Sequence, residues 1–196
     1  VHALLVYPTL ITVLARLNPL TFMSKLRAAM IFAFSTASSN ATIPVTLETV
    51  ERRVGVSNKI ASFTIPLGAT INMDGTAIMQ GIATGFIAQF YGIDLTLSQY
   101  LMVVVMVILA SIGAAGVPSV GLVILAGVLA QVGLPAEGIA LILGVDRLLD
   151  MTRTVVNITG DSTVTTIVAK SEGELDMDIF NDPDAGLIYD GEVDKA

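Results

Sequence analysis

The sequence predicts an all-α membrane protein, with two re-entrant helical hairpins and broken transmembrane helices arranged as an inverted repeat. Three observations lead there. Of the 196 residues, 54% are hydrophobic and 14% charged, with a mean hydropathy of +0.79, whereas a soluble domain carries about 25% charged residues. Lys and Arg are absent between Ile60 and Asp146. The apolar segments are interrupted at their centres by small and polar residues, which the bilayer tolerates only where the backbone is buried in protein or faces water.

The first apolar run, Val1 to Leu14, is broken by Pro8 and too short for a full span. Residues 1–16 are therefore expected to form a partial transmembrane helix, and the chain to be the C-terminal part of a longer transporter-like protein. Arg16, Lys25 and Arg27 precede the apolar segment 28–50, and Arg52, Arg53 and Lys59 follow it. Positive charge marks cytoplasmic flanks, so this segment must enter and return as a hairpin, turning at its polar centre Ser35-Thr36-Ala37-Ser38-Ser39-Asn40-Ala41-Thr42. Residues 60–91 read as a span broken at Asn72-Met73-Asp74-Gly75-Thr76, because Asn, Asp and Gly are poor helix-interior residues. Residues 99–133 form a second hairpin with a small-residue tip, Ser111 to Pro118, and residues 135–170 the last span.

Hairpin plus helix thus occurs twice, the second time upside down, the architecture of secondary transporters. Residues 17–174 are expected to make one transport domain. Both tips carry small residues, an aliphatic residue and Pro, as Ala41-Thr42-Ile43-Pro44 and Ala115-Gly116-Val117-Pro118. Proline suits the first turn of a returning half-helix, whose free N–H groups attract anions. Nine acidic residues between Glu172 and Asp194 account for the net charge of −7, so residues 175–196 read as an acidic cytoplasmic tail. With no cysteine, disulfides and thiolate chemistry are excluded. The scattered basic residues do not suggest nucleic-acid binding.

The last span is the most informative segment. At about 100° per residue, Asp146, Asp150, Arg153, Thr154, Asn157 and Asp161 fall within an arc of roughly 100°. A charge at bilayer depth costs at least ~2.5 kcal/mol, so this stripe should line a site rather than face lipid. Arg153 offers a planar fork for a carboxylate and Asp150 a partner for an ammonium; the bland alternative is an Asp150–Arg153 salt bridge that staples helices. Asp161, with no basic neighbour on its face, reads as a cation ligand. The Asn72 to Thr76 break reads as an oxygen-rich ion site, or else as a kink with Asp74 bonded to another helix. The Ser111 to Pro118 tip reads as a gate with glycine hinges, or as a close-packed contact. Asp146 is assigned a supporting or solvated role, and His2 none.

These motifs resemble the C-terminal half of the sodium-coupled glutamate/aspartate transporters, the dicarboxylate/amino acid:cation symporter family. The resemblance runs from Val1 to about Glu174 through Ser38 to Pro44, Asn72 to Thr76, Ser111 to Pro118 and Asp150 to Asp161. It implies a substrate site at Ser38, Ser39, Thr76, Val117, Gly121, Asp150, Arg153, Thr154 and Asn157, with backbone near Ala37. It also implies Na+ sites drawing on Gly68, Thr70, Asn72, Asp74, Ser111, Ile112, Ala114, Asn157 and Asp161. Arg153 distinguishes the chain from neutral amino acid exchangers, Asp150 from carriers of dicarboxylates lacking an amino group, and Asp161 from proton-coupled relatives. Asn40 departs from a serine common in the family, and Ala37 and Met151 both lack an arginine that members place at one or the other.

The expected function is secondary active symport of sodium with L-glutamate and/or L-aspartate, with no enzymatic activity. Expected partners are a small acidic amino acid, membrane lipid and, in the full-length protein, two further copies forming a homotrimer. The expected location is a cell membrane, bacterial inner membrane in kind, with multiple passes and the C-terminus in the cytoplasm. Charge supports coupling: Asp74, Asp150 and Asp161 with Arg153 sum to −2, and an acidic amino acid brings the pocket to −3, which low dielectric does not accept without cations. A proton-coupled or dicarboxylate carrier of the same family is the alternative; a passive channel and an intramembrane Asp74/Asp161 acid–base enzyme fit the motifs less well.

Overall fold

The computed structural model describes residues 1–112 and 114–187. Gly113 of the second expected tip and residues 188–196 of the expected tail lie outside the described residues. Among the described residues the regular elements are all helical, apart from an isolated antiparallel bridge between Val56 and Leu175.

Helix α1 (His2–Ala15) ends where Arg16 adopts φ 55°, and the chain bends by 116° into α2 (Pro19–Lys25). Asn18 starts α2 by accepting hydrogen bonds from the amides of Leu20 and Thr21 at 2.9 and 3.3 Å, with Pro19 at the first helical position, where its missing N–H costs nothing.

Helices α3 (Arg27–Thr36) and α4 (Ser39–Thr49) form a first pair. The turn is made by Ala37 in the left-handed region at φ 51° and by Ser38, whose Oγ accepts from the Ala41 amide. Beyond α4 a wide turn, Val50–Val54, ends at Gly55 with φ 90°. Glycine is required there twice over, because a Cβ would also strike the Asp176 carbonyl.

The expected interruption separates α5 (Asn58–Ile71) from α6 (Asp74–Phe90), with Asn72 and Met73 between them in non-helical backbone. Helices α7 (Leu97–Ser111) and α8 (Val120–Gln131) form a second pair, which packs on α6 through Val103, Val107, Leu125 and Leu129 against Met79, Ala83 and Ile87. A capping box at Thr96 and Gln99 opens α7.

A short turn, Ala136–Ile139, leads into α9 (Ala140–Ser171), 32 residues and so about 48 Å long at 1.5 Å per residue. All six residues of the polar stripe on α9 are buried, covered by α6, α5, α3, α4 and α1. Among the described residues no single helix is both long and apolar enough to cross a membrane; the bent pair α1–α2 passes by length and composition together. Helix α9, expected as a span, has the length but not the apolarity, because its polar face is matched to other helices.

A short helix α10 (Met177–Asn181) closes the described chain. Phe180, 2% exposed, enters a core with Ile11, Leu17, Phe22, Leu26, Val50 and Val54. The start of the expected acidic tail is therefore packed onto the helices rather than hanging from them.

Candidate functional site

The centre of the site is the α9 stripe. Arg153 Nε donates to Asp150 Oδ1 at 2.9 Å, and Nη2 lies 2.9 Å from the same oxygen but off hydrogen-bonding angle. The guanidinium is thus charge-paired while N–H donors on Nη2 remain to be met, the arrangement a second carboxylate would complete. Asp150 Oδ2 accepts from the Ser119 amide at 2.7 Å, at the start of α8. One carboxylate therefore holds both the arginine and the returning arm of the second pair.

Two further elements bring the break and the tips to this stripe. The Gly75 amide, one of the free donors at the start of α6, is met by Asn157 Oδ1 at 2.8 Å, and Asn157 Nδ2 donates to Thr76 Oγ1 at 3.3 Å. The two tips meet at one acceptor: Ser38 Oγ and the Asn40 amide both donate to the Gly116 carbonyl, at 2.6 and 3.2 Å.

Between them remains a cavity of about 10 Å³ lined by Ser39, Thr76, Val117, Asp150, Arg153, Thr154 and Asn157, all expected substrate residues, together with Ala37, Met73, Ala115, Gly116 and Val120. It has room for at most one water. Of the other two expected residues, Ser38 sits behind the cavity on Gly116, and Gly121 faces the Arg153 guanidinium so closely that a Cβ would collide with it.

The expected cation ligands divide into those the fold gathers and those it leaves apart. Asn72 Nδ2 donates to Asp161 Oδ1 at 2.9 Å, and a Cβ on Gly68 would lie 2.6 Å from that same oxygen, so only glycine allows α5 this close to Asp161. Gly68, Asn72 and Asp161 thus share one place, and Asn157 lies one helical turn before Asp161. Asp74 faces elsewhere, accepting from Tyr7 at 3.0 Å with His2 Nε2 3.1 Å from the same oxygen. The Thr70 hydroxyl turns back to the Pro66 carbonyl and the Ser111 hydroxyl to the Ile108 carbonyl. Ile112 is half-exposed and Ala114 half-buried.

Sequence reasoning missed the roles of His2 and Tyr7, which lie 72 and 67 residues from Asp74; no local pattern announces such a contact. It also missed Met79, whose sulfur accepts from Arg153 Nη1 at 3.8 Å. A wide apolar groove of about 910 Å³ runs beside the site, between α1, α6 and α9, with Ile78, Ile82, Phe86 and Val145 on its walls.

The sodium:dicarboxylate symporter family matches residues 1–171. The chain is 46% identical over 184 residues to Excitatory amino acid transporter 3 of Mus musculus, covering 93% of this chain and 35% of that protein. It is 46% identical over 162 residues to Excitatory amino acid transporter 1 of Rattus norvegicus, covering 83% of this chain and 30% of the relative. An Excitatory amino acid transporter of Caenorhabditis elegans is also 46% identical over 162 residues, 83% of this chain and 32% of the relative. The chain therefore spans about a third of the length of these relatives. With a family match across most of its length and three relatives at this identity, the chain belongs to the sodium:dicarboxylate symporter family.

Proposed function

We propose that the chain forms the substrate- and ion-binding core of a symporter that couples sodium entry to uptake of L-glutamate and/or L-aspartate across a cell membrane. The observation that carries the reading is the Asp150–Arg153 pair, buried beneath both helix-pair tips with guanidinium donors still to be met. An acidic amino acid satisfies both ends of the pair, its ammonium on Asp150 and its side-chain carboxylate on Arg153. Its entry requires the tips to part, since the cavity holds one water at most. The bonds to break are few: two hydrogen bonds on Gly116, each worth about 1 kcal/mol net, and the Ser119 amide on Asp150.

Sodium is cargo in this reading. Asp161, with the neighbouring oxygens of Gly68, Asn72 and Asn157, supplies hard oxygen donors of the kind an alkali cation takes; Asp74 serves a second ion with groups from the remainder of the protein. The two pairs are re-entrant hairpins of an inverted repeat and act as inner and outer gates. The exposed apolar residues of α7, among them Leu101, Val105 and Leu109, face lipid, and the basic residues near the base of the first pair put that end and the C-terminus in the cytoplasm. The complete protein is a homotrimer.

Uptake of labelled aspartate by the full-length protein in liposomes tests the reading. We expect concentrative uptake with external sodium and none when choline replaces it. Equal uptake in both would end the coupling claim.

A further inference from the structure

The stretch after α9 crosses the base of the first helix pair and is bonded to the segments that flank it, at Lys25 before α3 and at Arg53, Gly55 and Ser57 beyond α4. The Ser57 amide donates to the Glu174 carbonyl at 3.0 Å and the Asp176 amide to the Gly55 carbonyl at 2.8 Å, with Val56 and Leu175 bridged between them. Asp176 then caps α10 by accepting from the amides of Asp178 and Ile179. Lys25, only 1% exposed, donates to the carbonyls of Ile179 and Asp182 at 3.0 and 2.7 Å. Arg53 Nε donates to the Ala185 carbonyl at 3.3 Å, and Gly186, at φ 68°, lies against the Arg52 backbone where a Cβ would crowd.

Two features make this more than a covered surface. A buried ammonium is costly unless its donors are met, and those of Lys25 are met by main-chain carbonyls of this stretch. Lys25 and Leu26 lead directly into α3, whereas Gly55 and Arg53 end the arm that continues α4. The same short stretch thus binds both arms of the pair and, being continuous with α9, ties them to it. The base of the second pair, among the described residues, is held by apolar packing of Val132 and Leu134 and by one hydrogen bond between its arms, Gln99 Nε2 on the Val132 carbonyl at 3.4 Å.

We infer that residues 174–187 are a strap that locks the base of the first helix pair to α9 and α5, so that this pair opens on its own only when the strap is released. The strap stands whichever solute is carried, and its test needs no transport. The probe is a cysteine at Thr46, 1% exposed on α4, labelled with maleimide in the full-length protein, with a cysteine at Val107, 5% exposed on α7, as the control. Lys25→Met removes two charge-assisted bonds that each hold about an order of magnitude in local opening, so labelling at position 46 should rise about a hundredfold while that at 107 stays constant. Lys25→Arg, which keeps the donors, should restore protection. Arg53→Ala should act in the same direction but less, and answers the question if Lys25→Met does not fold. Unchanged labelling at 46, or an equal rise at both positions, would overturn the strap.

Discussion

The first helix pair buries five hydroxyl residues, Ser38, Ser39, Thr42, Thr46 and Thr49, and both its helices lie on α9. The second pair, among the described residues, buries one, Ser111, packs chiefly on α6, and exposes Leu101, Val104, Val105, Ile108 and Leu109 along α7. The first turns on a left-handed alanine backed by a serine cap, the second through Ala114, Ala115 and Gly116 to Ser119 at φ 64°. Contact of both arms with α9 pins the first pair, whereas apolar contact with few bonds at the tip lets the second slide or lift. The difference teaches that two gates of similar order in the sequence are held differently, the first seated firmly and the second free to lift readily.

The sharpest way to break the contrast is Gly121→Ala on the second pair. Its Cβ would occupy the place of the Arg153 guanidinium, which yields only by leaving Asp150. Stranding a buried charge costs about 3 kcal/mol or more, so aspartate affinity by titration calorimetry should fall by about a hundredfold or more. Gly127→Ala, farther along α8 with nothing within 4 Å of its Cβ position, should leave affinity unchanged. Equal effects from the two would remove Gly121 from the site.

Gly68→Ala tests the fixed side of the molecule. The three atoms nearest the added methyl all belong to the Asp161 side chain, so helicity by circular dichroism should persist while the sodium concentration for half-maximal uptake rises about tenfold, equivalent to ~1.4 kcal/mol. An unaltered sodium dependence would mean Asp161 does not bind the ion.

Ser38→Ala cuts one of the two bonds joining the tips. At about 1 kcal/mol the closed state should lose roughly fivefold in population, read as faster hydrogen exchange at 114–119; the Ala41 amide, which Ser38 Oγ also caps, should exchange faster too, while the rest of α3 and α4 stays unchanged. Faster exchange throughout α3 and α4 with 114–119 unchanged would reverse which pair lifts the more readily.

The smallest effect is expected at the exposed Lys59–Glu174 pair, 3.1 Å apart. The hydrogen bond from Lys59 holds the Glu174 carboxyl below its ordinary value. A depressed carboxylate adds stability above the usual Glu range and loses it as pH falls through the lowered value. The Tm difference between wild type and Lys59→Met should therefore be small at pH 7 and vanish in acid; a difference that grows in acid would contradict it.

The polar stripe of α9 was legible because helical periodicity is local: spacing along the chain already places Asp146, Asp150, Arg153, Thr154, Asn157 and Asp161 on one arc. The interruption at Asn72 and Met73 was legible for the same kind of reason, as residues ill-suited to a helix. The Tyr7 and His2 contacts with Asp74, the Met79 sulfur at Arg153 and the approach of Gly68 to Asp161 were not. Each joins residues 67 or more positions apart, and neither periodicity nor propensity carries information across such a distance. Nor were the partners of residues 175–187 legible: their charge reads as solvated, while Phe180 and the main-chain carbonyls do the packing.

Taken alone, the order of residues determined which segments are helical, where they break and which face of α9 is polar, since these follow from side-chain chemistry and backbone geometry over a turn or two. Only the tertiary structure decided that Asp150 serves Arg153 and Ser119 together, that both tips share the Gly116 carbonyl, and that a lysine before α3 is held by the chain after α9. A buried donor or acceptor must find some partner, but which one it finds depends on how distant helices come to lie against each other.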